Sequence, residues 1–150
     1  MFAPRPELAA SEMFRVVRPG GTVGLVSWTP DGFQGRVFAV GNKYAPMPEG
    51  VPVPSHWGDE DVARERLSGL ASSLAFERHT VRHEFESPDG WFEFVENAGP
   101  SKRRMASVSD EDRAAMRADL LALIDEFNQA DDGSMLVDAE YLVVVARKRG

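Results

Sequence analysis

The residues FRVVRPGGTVGLVSWTP, 14–30, constrain this chain more than any other stretch. Just before and within them, Ala9, Met13, Val16 and Val17 recur at i, i+4, i+7 and i+8, which gives one apolar helical face. Pro4 and Pro6 open that helix, where a missing N–H costs little. Pro19-Gly20-Gly21 stops it, because proline cannot continue a helix and glycine accepts the left-handed turn. TVGLVSW, 22–28, then runs with hardly any polar alternation, the pattern of a strand covered on both faces. Helix, tight turn and buried strand in succession predict an α/β architecture.

The remaining pattern extends that plan. Thr29-Pro30-Asp31-Gly32 is a turn, and Phe33, Val37, Val40 and Tyr44 mark a second helix. PMPEGVPVPSHWG is rich in proline and predicts an extended loop. A third helix is expected from about Asp59, with Ala63, Leu67, Leu70, Ala71 and Leu74 on one face. From Ala75 to Glu86 the period changes to two, as in a half-exposed strand. Ser87-Pro88 caps a short aromatic helix, DGWFEFVENAG, and Ser109 with Asp112 forms a capping-box pattern for a long helix over 110–130. Asp131-Asp132-Gly133 ends it, and EYLVVVARK, 140–148, is a third strand. No repeat divides the chain, so residues 1–150 are expected to form a single domain. The TVGLVSW strand has the composition of a central strand, so something is expected to lie along its outer side.

Composition narrows the partners. The net charge is -7, from 24 acidic and 17 basic residues, which disfavours nucleic acid and anionic membranes as ligands. The basic clusters are short, SKRR at 101–104 and RKR at 147–149, and are expected to be solvated surface. There is no cysteine, hence no disulfide framework and no thiolate metal site. MFAPRPELAA does not have the form of a secretory signal, and no apolar run of about 18 residues is present to span a bilayer, so a cytoplasmic protein is expected.

Motifs for chemistry are sparse. His79 and His83 would share a strand face, but no third metal ligand accompanies them. ADDGSMLVD departs from the calcium-loop pattern, and no G-x-S-x-G or G-x-G-x-x-G occurs. The glycines of GGTVG precede a strand, whereas a phosphate cradle needs them after one, at a helix N-terminus. Aromatic residues are more informative. Trp28 lies at the carboxyl end of the first strand, where open α/β sheets hold ligands, and Trp57 ends the proline-rich loop. Trp91, Phe92 and Phe94 crowd one helix. Pocket lining and plain packing are both open for these side chains.

With these pieces in order, MFAPRPELAASEMFRVVRPGGTVGLVSWTPDGFQGRVF resembles the segment from the end of the fourth strand through the fifth in class I S-adenosylmethionine-dependent methyltransferases. The branch it is most similar to is the small-molecule group near the quinone-biosynthesis C-methyltransferases. The VPVPSHWG loop, the W-F-x-F helix ending in NAGPSK and the finish NQADDGSMLVDAEYLVVVARK follow in the family's order, so the resemblance covers essentially the whole chain. It implies a partial Rossmann-like sheet in which TVGLVSW, the 75–86 strand and EYLVVVARK are strands five, six and seven, side by side as 5-7-6, with the last one antiparallel. It also implies that the family's cofactor-binding first half is not in this sequence, as in a truncated or partial chain.

Two expectations follow from the resemblance. In the first, the chain is the substrate-side half of a methyltransferase, using S-adenosylmethionine only when the missing N-terminal half is present. Trp28, Trp57, Trp91 and Asn97 would then position a small-molecule substrate, and no general base is named. In the second, the chain is a non-catalytic association module that homodimerises by pairing the TVGLVSW strands of two copies into one six-stranded sheet.

Overall fold

A computed structural model describes residues 2–97, 105 and 108–150; SKRR and most of NAGPSK lie outside the described residues. The first helix, α1 (Pro6–Val16), starts with proline in its first turn and ends where Val17 turns extended. Gly20, at φ 68°, supplies the left-handed residue of the following turn, and Gly21 N–H donates to the Arg18 carbonyl at 2.9 Å. Strand β1 (Thr22–Trp28) leads into α2 (Phe33–Tyr44). The proline-rich loop closes in a 3-10 turn over Pro54–Gly58 and passes into α3 (Glu60–Ser68), where the Asp59 carboxylate accepts from Val62 N–H at 3.0 Å. Strand β2 (Ala71–Phe85), helix α4 (Pro88–Asn97), helix α5 (Asp110–Phe127) and strand β3 (Met135–Lys148) complete the described order. Ser87 Oγ accepts from Gly90 N–H at 3.2 Å, and Ser109 Oγ accepts from Asp112 N–H at 3.1 Å while donating to the Asp112 carboxylate at 2.8 Å. Both predicted caps are thus made.

The sheet has three strands in the order β1-β3-β2, and β3 runs antiparallel to both neighbours. The fold is therefore mixed α/β with the last strand in the middle. Side chains in register share a face, so the ladder divides the sheet cleanly. Val23, Leu142, Val144 and Ala146 face α1, the 3-10 turn and α3, and pack with Phe14, Trp57, Ala63 and Leu67. Met135 and Val137 point the other way, into a second cluster of Phe33, Trp91, Phe92, Leu120, Leu123 and Ile124 from α2, α4 and α5. Each fully buried Leu or Ile in these clusters contributes roughly 1.5–3 kcal/mol relative to exposure.

Four boundaries differ from the sequence expectation. The third helix stops at Ser68, so Leu70, Ala71 and Leu74 are not on it, and β2 begins at Ala71 rather than Ala75. Apolar residues at 67, 70, 71 and 74 satisfy a helical period, but pairing of Ala71 with Lys148 and of Leu74 with Ala146 draws the segment into the sheet, with an irregularity between Ala71 and Ser73. Strand β3 starts at Met135, not Glu140, and α5 ends at Phe127, not residue 130. Asn128 causes both changes: its Oδ1 accepts from Leu136 N–H at 2.7 Å and its Nδ2 donates to the Ser134 carbonyl at 2.9 Å, closing a tight turn through Gly133.

The TVGLVSW strand also differs. It pairs with β3 on one side and forms an edge of the described sheet, with Val23 and Ser27 buried but Val26 66% exposed. An apolar run on both faces cannot itself supply the second cover. Val81 and Val145 lie on the same face as Val26 and are exposed as well. On the opposite face, the uncovered end carries ion pairs instead, Arg78 with Glu140 and Arg82 with Asp138, each at 3.0 Å.

Candidate functional site

Helices α2, α4 and α5, with Met105, line a partly open cavity of about 550 Å³. Its walls come from the apolar spacing of the three helices: Val37 and Phe38 on α2, Phe92 and Val95 on α4, Met116 and Leu120 on α5. Trp91 sits behind Phe92, with ring centroids 5.1 Å apart, and its other side meets Phe33 at 5.7 Å. These edge-on rings are buried, and of the three Phe92 lines the cavity. Its size lies within the roughly 300–1,000 Å³ of small-molecule pockets.

Polar groups from the same three helices join this lining. Arg113 and Arg117 are one helical turn apart on α5 and both line the cavity. Arg113 Nε donates to the Val108 carbonyl at 3.1 Å and its Nη2 to the Met105 carbonyl, so its described partners are neutral. Arg117 places its guanidinium carbon over the Phe92 ring, 4.0 Å from the centroid, and donates to the Asp89 carboxylate at 2.5 Å. Glu96, Asn97 and Gln34 complete the polar lining.

Two clamps hold α2 against α5. Asp119 accepts from Lys43 Nζ and from the Tyr44 hydroxyl, each at 2.7 Å, and Arg36 forms a bidentate pair with Glu126 at 2.9 and 2.8 Å. The Lys43 ammonium and then the Tyr44 hydroxyl hold the Asp119 carboxyl below its ordinary range, and Asp119 pushes Lys43 upward in turn. These groups are exposed, so the pairs set the helix spacing more than they stabilise it.

A second cluster lies on the sheet at the end of β1. Trp28 meets the rings of His83 at 5.8 Å and Tyr141 at 6.2 Å, both edge-on, and His79 stacks on Tyr141 at 5.8 Å. Burial lowers the His83 pKa, and its Nδ1 is buried without a described hydrogen-bond partner. Beneath this end of β1 the backbone is gripped from two sides: a Cβ on Gly35 would meet the Pro30 carbonyl carbon at 2.7 Å, and one on Gly58 would meet Thr29 N at 2.9 Å.

The four residues expected to position substrate are not brought together. Asn97 lines the cavity, with its Nδ2 donating to the Glu93 carbonyl at 2.9 Å. Trp91 backs the cavity wall from within the core. Trp57 belongs to the other core cluster, across the sheet, where Arg66 lies over its ring at 4.8 Å. Trp28 stands at the sheet end in the imidazole and tyrosine cluster. Arg113 and Arg117 do not stand out in the sequence; their i, i+4 spacing beside Met116 and Leu120 is the signal that could have found them. Among the described residues no cluster of three His, Asp or Glu side chains could hold a metal, and no helix is long and apolar enough to cross a membrane.

A nucleotide cofactor finds no cradle where β1 passes into α2. That loop is filled by its own atoms: a Cβ on Gly32 would meet Thr29 Oγ1 at 2.7 Å and Glu140 Cβ at 3.1 Å. The residues of this loop therefore do not fit the phosphate-binding side of such a site.

Among known proteins, the chain is 33% identical over 153 residues to an uncharacterized protein of Mycobacterium tuberculosis strain H37Rv and to one of Mycobacterium bovis, matching 99% of this chain and 54% of theirs. A second uncharacterized protein of the same M. tuberculosis strain is 33% identical over 152 residues, 55% of its length. The chain thus spans about half the length of the curated relatives it matches. No protein-family model matches it. Among solved structures, a Bacillus halodurans protein provisionally described as a methyltransferase superposes with a TM-score of 0.52 at 18% identity, over 98% of this chain and 59% of that one. That likeness establishes a shared fold with part of the Bacillus protein.

Proposed function

We propose that this chain forms the substrate-side half of an S-adenosylmethionine-dependent methyltransferase acting on a small organic molecule, in the branch near the quinone-biosynthesis C-methyltransferases and in the cytoplasm. The observation that carries the reading is the backbone likeness to the Bacillus protein over 98% of the chain. The strand order β1-β3-β2 supports it, because a methyltransferase sheet ends in the order 5-7-6 with the last strand antiparallel. On this reading the remaining length of the relatives supplies the donor site, pairing with the open edge of β1 and covering Val26 and Val145. S-adenosylmethionine would bring the reactive methyl sulfonium. This chain's own residues hold and orient the acceptor, exclude water, and leave general-base catalysis unassigned. Methyl transfer depends chiefly on alignment, which a largely apolar cavity can supply. Asn97 would touch the acceptor, Trp91 would stiffen the wall behind Phe92, and Trp28 and Trp57 would brace the end of β1.

Calorimetry with S-adenosylhomocysteine tests the reading. A full-length M. tuberculosis relative is expected to bind it at micromolar concentration, and this chain alone to bind none at millimolar ligand. A full-length relative that gives no heat would remove the basis for the proposal.

A second reading, an association module that homodimerises through β1, is favoured by the 66% exposure of Val26 on an edge strand. It predicts a dimer in sedimentation experiments at micromolar concentration and a monomer for Val26→Lys. A monomeric native chain excludes it.

A further inference from the structure

The cavity between α2, α4 and α5 is lined by apolar side chains and by two arginines, in a chain whose overall charge is -7. We propose that it binds an organic carboxylate with an apolar body, aromatic or aliphatic, with the carboxylate held between Arg113 and Arg117. Naming that ligand as the methyl acceptor rests on the proposed function; its binding does not.

Like charges one turn apart on a helix repel, and Arg113 and Arg117 are held in that relation. Arg117 has one carboxylate partner, the exposed Asp89, while Arg113 is met by two carbonyls, and no described carboxylate pairs with it. Its Nε and one terminal nitrogen are engaged, leaving further N–H donors of the fork for a ligand. Arg117 is held over Phe92 by its cation–π contact and Arg113 by its two carbonyl contacts, and a guanidinium can meet a carboxylate with two parallel N–H donors. Glu96 is the acidic group of the described lining, and with Asp89 already on Arg117, Arg113 is the arginine whose charge a ligand carboxylate would meet. Phe38, Phe92, Met116 and Leu120 offer the body of the ligand an apolar and aromatic enclosure.

A matched pair of probes, 2-naphthoate and 2-naphthamide, separates charge from apolar fit. Titrated into the 150-residue chain and followed by calorimetry, naphthoate is expected to bind tighter than the amide by on the order of tenfold, a preference that shrinks in high salt. Arg113→Met should abolish the preference while leaving amide binding in place. Arg117→Met keeps the carbonyl contacts of Arg113 and serves as the second variant should Arg113→Met fail to fold; it too should reduce the preference. Equal affinity for acid and amide, no binding of either, or a preference intact in both variants would overturn the assignment. The two proposals fail separately. Naphthoate discrimination without cofactor binding by a full-length relative defeats the methyltransferase reading, and cofactor binding without discrimination defeats this one.

Discussion

Replacing Gly58 with alanine tests how the 3-10 turn is seated on the end of β1. Gly58 is buried, and its φ lies outside the left-handed region, so a methyl group brings no backbone strain of its own. The cost is steric. The new Cβ would fall within the Trp28 carbonyl group and 2.9 Å from Thr29 N. Those are backbone atoms, held by pairing of Trp28 with Tyr141 and by the Thr29 N–H bond to the Glu140 carbonyl at 3.2 Å. No flexible side chain is available to yield, so the turn must lift from the strand. Overpacking costs typically ~1–3 kcal/mol, and rigid neighbours put this case near 3. In a chain of this size, 1 kcal/mol shifts Tm by about 2–4 °C, which makes the expected drop roughly 6–12 °C. Gly69→Ala is the control: Gly69 has φ -69° and ψ -23°, and a Cβ added there would meet nothing within 4 Å. That change should be neutral or stabilising by about 0.4–1 kcal/mol. Urea unfolding of both variants, with slopes compared, gives the difference. A Gly58→Ala protein within ~1 kcal/mol of the control would refute the close approach of turn and strand.

Other parts of the fold carry their own expectations. Ile124 is fully buried between α2 and α5, so Ile124→Ala should lose ~2–5 kcal/mol in urea unfolding; a loss well under that range would mean that the second cluster repacks freely. His83 has a folded pKa lowered by burial from 6.5, so the unfolded chain binds its proton more readily. Its contribution is constant above pH 6.5 and stability declines as pH falls below it, a decline that His83→Gln should flatten in a pH series of chemical unfolding midpoints. An unchanged slope in the variant would assign the decline to other groups.

Local chemistry was legible in the sequence because it is decided within a few residues. The Ser109 and Ser87 caps, the proline start of α1 and the left-handed Gly20 turn each depend on a hydrogen bond or a φ value inside one helical turn. The mixed α/β character followed from the alternation of those elements. Of the candidate site, α4 and Asn97 were legible, but the arginines facing them from α5 were not, since no local pattern says which side of a helix meets another helix across 16 residues of chain or more.

Tertiary structure decided what depends on a distant partner. Ala71–Leu74 has a helical spacing and becomes strand because the far end of β3 offers hydrogen bonds there. The apolar TVGLVSW run carries no information about which side of it is paired, and β3 takes one side only. Four tryptophan and asparagine positions that looked equivalent in sequence are divided by the sheet, with Trp57 on one face and Trp91 on the other, because register sends neighbouring residues of β3 to opposite faces. The cavity itself exists only where three helices, separated in sequence, meet: Arg36, Lys43 and Tyr44 join α2 to α5, and Arg117 joins α5 to Asp89 of α4.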